Sequence, residues 1–246
     1  MHRHGSRPTV PIVPASANEG VARTLGVALL VALACSLVVS VTAVLLRPLQ
    51  EANRLQDKAS RVVAITSALG LDRPRARLVT LATGAYAERD PGSATRLAPE
   101  RDPAKIGRRE DVAVVFESRE NDRLRIVILP VRGSAYQSTL KGYLALQADL
   151  NTVAALSFYE QGETPGLGAR VEDDAWQALW PGKEVADADG VIRIEVVKGA
   201  GKGVHEVDGI SGATRTGRGV NNLLRFWLGP DGYGPYLDRL RAENGR

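Results

Sequence analysis

The sequence predicts an α+β domain with a largely antiparallel sheet and flanking helices, preceded by one N-terminal transmembrane helix. Strand-like runs follow one another in close order, and the chain shows neither a parallel βαβ rhythm nor an internal repeat. One long uncharged segment near the N-terminus predicts the membrane helix. The chain has 246 residues, 44% of them hydrophobic, which is ordinary for a globular protein.

The transmembrane helix is expected over residues 24–46, because no charged residue occurs from Thr24 to Leu46. As a helix this segment is roughly 34 Å long, enough to cross a hydrocarbon core of about 30 Å. A cleaved signal peptide is the alternative, but the apolar run exceeds the usual length of about 7–15 residues and no small-x-small cleavage site follows. Residues 1–23 then form an N-terminal tail. Basic residues flank both ends of the span, so charge does not decide its orientation.

Apolar residues recur every three or four positions after the span and predict a juxtamembrane amphipathic helix over residues 47–70. Residues 71–246 form the soluble domain, with a polar loop over residues 87–110. Its strand candidates are 77–81, 112–117, 124–129, 143–148, 153–159 and 191–197. Its helix candidates are 173–179, the segment after Thr216, and 236–242.

Charge and cysteine usage exclude several classes of function. The net charge is +4, but the basic residues are scattered among acidic ones with few aromatics, which indicates a solvated surface rather than a nucleic-acid site. The single cysteine, Cys35, lies within the predicted membrane helix, so the soluble part has no disulfide and no thiolate metal site. The three histidines form no cluster with metal-ligand spacing. We therefore expect no metal site.

The segment Ser211-Gly212-Ala213-Thr214 is the strongest candidate site. Gly209 and Gly212 permit backbone angles at which amides and hydroxyls converge on an anion, and the helix predicted next would direct its positive end at the segment. A phosphate bound at Thr214 is one interpretation. The other is that the hydroxyl only caps the helix, as Ser and Thr before a helix usually do.

Five segments resemble one known family: 130–151, 158–171, 175–183, 207–216 and 226–237. The family is NqrC, a component of the sodium-translocating NADH:quinone oxidoreductase, and, more broadly, the FMN-binding domains that carry covalently attached flavin. The resemblance implies that FMN is attached through a phosphoester bond to Thr214, within the motif that Ser211, Gly212 and Ala213 complete. It also implies a magnesium-dependent flavin transferase that recognises Asp208 to Thr214.

Two other parts of the chain gain a role from this resemblance. The loop with Glu163, Thr164, Gly166 and Leu167 is by itself a turn that ends a strand, but in the family it contacts the isoalloxazine ring. Lys198 would by itself be an exposed strand end. The family places a lysine near the flavin there, where its charge stabilises the reduced ring.

The chain departs from the family at Gln137 and Lys141, where aromatic residues are usual. A ring that would stack on the flavin is therefore missing, although Ser138 and Thr139 keep the family's pair. Tyr136 is the neighbouring candidate to replace the ring.

The resemblance implies an electron-carrier subunit in a bacterial inner membrane, with a periplasmic soluble domain and partner subunits in a complex that exports sodium. No dinucleotide fingerprint or cluster-ligand set is present, so the chain is not expected to oxidise NADH alone. Three alternatives stay open: the G-type component of the related ferredoxin/NAD electron-transport complex, a membrane-anchored flavin-binding sensor or assembly protein, and an anchor without flavin. The aromatic, glycine-rich tail at 226–237 favours NqrC over the G-type component.

Overall fold

The computed structural model describes residues 17–68 and 74–244, in two compact units divided between Leu55 and Gln56. The first helix, α1, spans Ala17–Ala68. Within it, Arg23–Arg47 has a mean hydropathy of 2.7 and is long and apolar enough to cross a membrane, with none of the tested window buried inside the protein. Residues 1–16 of the predicted tail and residues 69–70 of the predicted juxtamembrane helix lie outside the described residues.

The soluble unit contains ten strands, three further α-helices and two 3-10 helices among its described residues. The strands are β1 (Arg75–Thr80), β2 (Tyr86–Ala87), β3 (Ala94–Arg96), β4 (Arg108–Glu110), β5 (Val112–Glu120), β6 (Arg123–Ser134), β7 (Thr139–Gln147), β8 (Val153–Glu160), β9 (Glu195–Val196) and β10 (Glu206–Val207). The helices are α2 (Asp174–Gln177), α3 (Thr214–Leu228) and α4 (Gly234–Asn244), with 3-10 turns at Pro99–Arg101 and Gly168–Glu172.

Six strands form one sheet in the order β2-β1-β5-β6-β7-β8, and every neighbouring pair is antiparallel. Strands β3 and β4 form a separate antiparallel pair, while β9 and β10 are parallel. This arrangement confirms the predicted α+β class and its largely antiparallel sheet. The side chains of the long central strands alternate between the two sheet faces, as strand geometry requires.

The larger core lies where α3 and α4 pack on one face of the sheet. Val220, Leu223, Leu224 and Trp227 recur along α3 at helical spacing, and all four are buried. The Trp227 ring stacks on the Tyr233 ring with centroids 5.1 Å apart, and its indole N–H donates to the Arg132 carbonyl of β6. The buried N–H of Trp227 thus has a partner while the ring fills the core. These contacts fix α3, and with it the start of that helix, against the sheet.

The other face of the sheet carries a smaller core. Val62 and Ile65, near the end of α1, are buried against Ile126, Ile128 and Tyr143 and neighbouring side chains of the sheet. The recurrence of apolar residues after the span predicted an amphipathic helix. The structure confirms that Val62 lies on the buried side of this part of α1. Both faces of the central strands are therefore covered by helices.

Several predicted segments differ from the structure. Residues 17–23, predicted as part of the N-terminal tail, belong to α1. The polar segment 87–110, predicted as loop, contains β3, β4 and a 3-10 turn. The strand predicted over 191–197 is reduced to Glu195–Val196, because the Asp187 carboxylate accepts the Val191 N–H in a turn and only two residues reach β10. Lys198 thus follows a two-residue strand and not a long one.

Candidate functional site

Helix α3 begins at Thr214, earlier than predicted. The residue at its N-cap is Ala213, which has no hydroxyl group. Ala213 has φ −120° and ψ 37°, and no side chain caps the helix. Thr214 is exposed, and among the described residues its hydroxyl has no hydrogen-bond partner. The alternative in which Thr214 merely caps the helix is therefore wrong. A free hydroxyl at the first helical residue is instead available for chemistry.

The turn before the helix is shaped by Gly212, whose φ of +76° favours glycine. Ser211 and Gly212 are exposed, while Ala213 is buried under the start of the helix. The first backbone N–H groups of α3 have no carbonyl one turn earlier to bind, and they lie at the positive end of the helix dipole. The turn thus gathers donors suited to an anion beside the Thr214 hydroxyl.

A cavity of about 430 Å³ opens at this turn and contains both Thr214 and Lys198 in its lining. Its size falls within the range of small-molecule sites, about 300–1,000 Å³. The lining residues are Val196, Val197, Lys198, Gly199, Gly209, Ile210, Ser211, Gly212, Ala213, Thr214 and Gly217. The structure therefore brings the predicted lysine and the predicted attachment threonine to one cavity, although they lie on different elements.

Asp208 and Gly209 connect this turn to the loop that carries Lys198. The Asp208 carboxylate accepts the Gly201 N–H at 2.8 Å, and the Gly209 N–H donates to the Gly199 carbonyl at 2.8 Å. A Cβ on Gly209 would lie 2.2 Å from the Val197 carbonyl oxygen, so only glycine fits there. The glycine-rich loop after Lys198 therefore has a structural role in holding the lysine beside the motif.

Glu163 lies buried against the first turn of α3, with 5% of its surface exposed. One carboxylate oxygen accepts the N–H groups of Gln137 and Ser138 and the Ser138 hydroxyl, at 2.8 to 3.1 Å. The other accepts the Thr216 hydroxyl at 2.7 Å. Burial raises the pKa of Glu163, but these hydrogen bonds outweigh it and leave the pKa below its usual value. The carboxylate thus joins its own loop, the 137–138 turn and the first turn of α3.

The rest of the Glu163 loop reaches the attachment turn through Leu167. A Cβ added to Gly212 would lie 2.8 Å from Leu167 Cδ2, so the leucine side chain occupies the space that this glycine leaves. Leu167 is 43% exposed, and Thr164 and Gly166 are exposed on the same loop. The loop therefore presents an apolar side chain and polar groups beside the Ser211–Thr214 turn.

The two departures from the family have different surroundings. Lys141 on β7 pairs with Glu160 on β8, with 2.8 Å between Nζ and Oε1, so its charge is compensated within the sheet. Gln137 is exposed, and its backbone N–H is held by Glu163. Tyr136 is 49% exposed and lies under the guanidinium of Arg215.

Sequence reasoning missed the parts of the site that depend on long-range contacts. Thr216 is buried, and its hydroxyl donates a hydrogen bond to Glu163. The Trp176 indole N–H donates to the Asp208 carbonyl at 2.9 Å. The local pattern signals neither partner, since 53 residues separate Thr216 from Glu163. From the sequence, Thr216 was predicted to precede a helix, and nothing in the sequence predicted that it would bind a buried acid.

The fold and this site define an FMN-binding domain protein with one helix that fits a membrane anchor, and a family model described as the FMN-binding domain matches residues 135–229. The C component (NqrC) of the Na(+)-translocating NADH-quinone reductase of Pseudomonas aeruginosa is 41% identical over 91% of this chain and 97% of that protein. Its counterpart from Vibrio parahaemolyticus is 39% identical over 92% and 98%. The chain belongs to the NqrC family of Na(+)-translocating NADH-quinone reductase subunits.

Solved structures agree with this assignment. The crystal structure of Shewanella oneidensis NqrC aligns with a TM-score of 0.64 and 34% identity, over 69% of this chain and 84% of that one. The crystal structure of the same component from Parabacteroides distasonis gives 0.58 and 27%, over 78% and 96%. The chain is thus a subunit of an oxidoreductase complex with other subunits, and its N-terminal apolar helix fits a single-pass anchor. Because the chain belongs to the NqrC family, the alternative that it is the G-type component of the ferredoxin/NAD electron-transport complex is wrong.

Proposed function

We propose that this chain relays electrons through an FMN attached by a phosphoester bond to Thr214, in a complex that couples quinone reduction to sodium export. The observation that carries the proposal is the Thr214 hydroxyl, which is exposed, has no capping role and borders a cavity of about 430 Å³. FMN, when bound, supplies reversible uptake and release of electrons. The residues around it determine how it is held.

The residues present fit FMN. The start of α3 offers unpaired N–H groups and a favourable dipole for a phosphate, and Gly209 and Gly212 keep the backbone there free of side chains. Lys198, in the same cavity, supplies a cation that would stabilise negative charge on the reduced ring. Leu167 and Thr164 provide an apolar contact and a hydroxyl at the edge of the site. Ser211 adds a second hydroxyl in the attachment turn.

Attachment is proposed to require a separate flavin transferase. A threonine hydroxyl is a weak nucleophile that needs a base or a metal. The two nearby carboxylates are already engaged, since Asp208 accepts the Gly201 N–H and Glu163 accepts four donors. Within the described residues no group of acidic, histidine or cysteine side chains could hold a metal. The exposed turn from Ser211 to Thr214 would be the surface that the transferase recognises.

The proposed location is the bacterial inner membrane, with the soluble unit on the periplasmic side. Arg23–Arg47 provides a single span by length and composition. Its flanking charges do not set the orientation, so the periplasmic side rests on the family.

The attachment is tested by producing the full-length chain with and without a flavin transferase and measuring its intact mass and in-gel flavin fluorescence. The natural protein should gain the mass of one FMN only with the transferase, and Thr214→Val should gain none. Thr83→Val is the control, because Thr83 is exposed on a turn outside the site, and it should keep the adduct. An adduct on Thr214→Val, or none on the natural protein, would reject the proposal.

The relay function is tested in membranes from a strain that lacks this chain. The natural chain should restore sodium-dependent NADH:quinone activity, whereas Thr214→Val should insert into the membrane and restore none. Equal activity with Thr214→Val would show that a flavin at this position is not part of the electron path. Such a result would favour a sensor or assembly role.

A further inference from the structure

The turn beside the proposed flavin attachment residue carries a cation stacked on an aromatic ring. The Arg215 guanidinium carbon lies 4.7 Å from the centre of the Tyr136 ring, within the distance at which a cation is attracted to a ring face. Arg215 directly follows Thr214 in the chain and is exposed on the first turn of α3. The pair therefore lies next to the residue that would carry the flavin.

Several contacts hold Tyr136 in place relative to α3. The Ala135 N–H donates to the Ser138 carbonyl at 2.8 Å, which closes the turn around the tyrosine. A Cβ on Gly219 would lie 2.6 Å from Ala135 Cα, so the helix backbone packs directly on this turn. Glu163 bonds both the turn and the first turn of α3. The backbone that carries Tyr136 is thus held against α3, which places the ring beside the start of the helix.

The charge of Arg215 is not neutralised by an acid. Across residues 17–68 and 74–244, the ion pairs involve other cations, and no carboxylate pairs with Arg215. Lys141, by contrast, is paired with Glu160. Thr214 consequently has an uncompensated guanidinium next to it in the chain, and Lys198 in the cavity that it borders.

We propose that Arg215, held in place by stacking on Tyr136, flanks the flavin at Thr214 and raises its reduction potential. This inference rests on the proposed attachment of FMN to Thr214. A cation near the ring favours the reduced form, because that form carries more negative charge. The phenol ring contributes by fixing the position of the guanidinium. Tyr136 and Arg215 are positioning residues here.

The test uses the full-length chain produced with the flavin transferase, and it measures the midpoint potential of the attached flavin by spectroelectrochemistry. Arg215→Gln removes the charge at similar length, and Tyr136→Leu removes the platform from outside the attachment motif. Arg123→Gln is the control, because Arg123 is exposed at the start of β6, the opposite end of that strand from Ser134 and the attachment turn. Both site variants should shift the potential to more negative values, while the control should match the natural protein.

Intact mass is recorded first, so that the two proposals fail separately. Absence of an FMN adduct on the natural protein would reject the attachment itself. With the adduct present, an unchanged potential in flavin-loaded Tyr136→Leu would overturn the Tyr136–Arg215 proposal, as would an equal shift in Arg123→Gln.

A further variant covers the case in which Arg215→Gln is poorly loaded with flavin. Arg215→Lys keeps the charge but lacks the planar face that rests on the ring. It should load with FMN and show a potential between those of the natural protein and Tyr136→Leu. A potential more negative than that of Tyr136→Leu would contradict the proposal, because the charge would then have no favourable effect on the reduced flavin.

Discussion

At the residue scale, Glu163 determines how the candidate site is held together. Its carboxylate accepts hydrogen bonds from Gln137, Ser138 and Thr216, which belong to two other segments of the chain. Buried acids are tolerated only when their lone pairs are satisfied, and here four donors satisfy them. Glu163 therefore braces its own loop, the 137–138 turn and the first turn of α3.

Glu163→Gln should destabilise the soluble unit by about 1–2 kcal/mol, because a neutral amide forms weaker bonds than a carboxylate and accepts at one end only. Urea unfolding of the full-length protein in detergent, followed by tryptophan fluorescence, measures this. Glu88→Gln is the control, since that carboxylate is exposed, and it should stay within about 0.5 kcal/mol. Equal stability of all three proteins would show that Glu163 is not a brace.

The pKa of Glu163 also predicts a pH dependence. Its folded pKa is below its unfolded value, so its contribution to stability is present above the unfolded pKa and lost as pH falls through the folded one. The stability difference between the natural protein and Glu163→Gln should therefore shrink between about pH 7 and about pH 3. Unfolding midpoints measured across this range provide the comparison. A difference that grows at low pH would have the wrong sign for this account.

At the element scale, the position of α3 depends on how closely it approaches the sheet. Gly219 lets the helix backbone lie against the end of β6, where an added Cβ would be 2.6 Å from Ala135 Cα and 3.0 Å from the Ser134 carbonyl oxygen. Both contacts are with backbone atoms, which cannot rotate away. The start of α3, and so Thr214, is placed by this contact together with the aromatic core behind the helix.

Gly219→Ala tests this placement because helix propensity and packing predict opposite signs. Propensity alone would stabilise α3 by about 1 kcal/mol. The clash should instead give a net loss of about 1–3 kcal/mol in urea unfolding. Arg218→Ala, at the exposed neighbouring position, should change stability little. A Gly219→Ala protein more stable than the natural one would contradict the close approach of α3.

The elements differ in how far the sequence could predict them. Strands β5 to β8 are largely buried on both faces, so they appear in the sequence as short runs of apolar and β-branched residues, which identified their central parts. Strands β3 and β4 could not be found in this way, because nearly all of their residues are polar or charged. The Lys198 strand was overestimated because periodicity does not reveal that Asp187 draws Val191 into a turn.

The candidate site was also only partly predictable from the sequence. The motif at 211–214 was visible in the sequence, because glycine and hydroxyl residues before an apolar helix are a local signal. The Glu163–Thr216 bond and the Tyr136–Arg215 stack join residues far apart in the chain and needed the structure.

At the scale of the whole molecule, an apolar helix that fits a membrane anchor and an FMN-binding domain share one chain. The proposed periplasmic orientation can be tested with single cysteines in a Cys35→Ser background. Asp189→Cys, on an exposed turn of the soluble unit, should react with a membrane-impermeant maleimide in cells with a permeabilised outer membrane. Ser6→Cys, before the span, should react only after the inner membrane is broken. The reverse pattern would place the flavin domain in the cytoplasm.

The central claim is that Thr214 carries the flavin, and tandem mass spectrometry of a proteolytic peptide that contains residues 208–216 tests it most directly. Protein produced with the flavin transferase should yield this peptide with the added mass of one FMN, and fragmentation should assign that mass to Thr214. The unmodified peptide accompanied by free FMN, or an adduct assigned to Ser211 or Thr216, would contradict the claim.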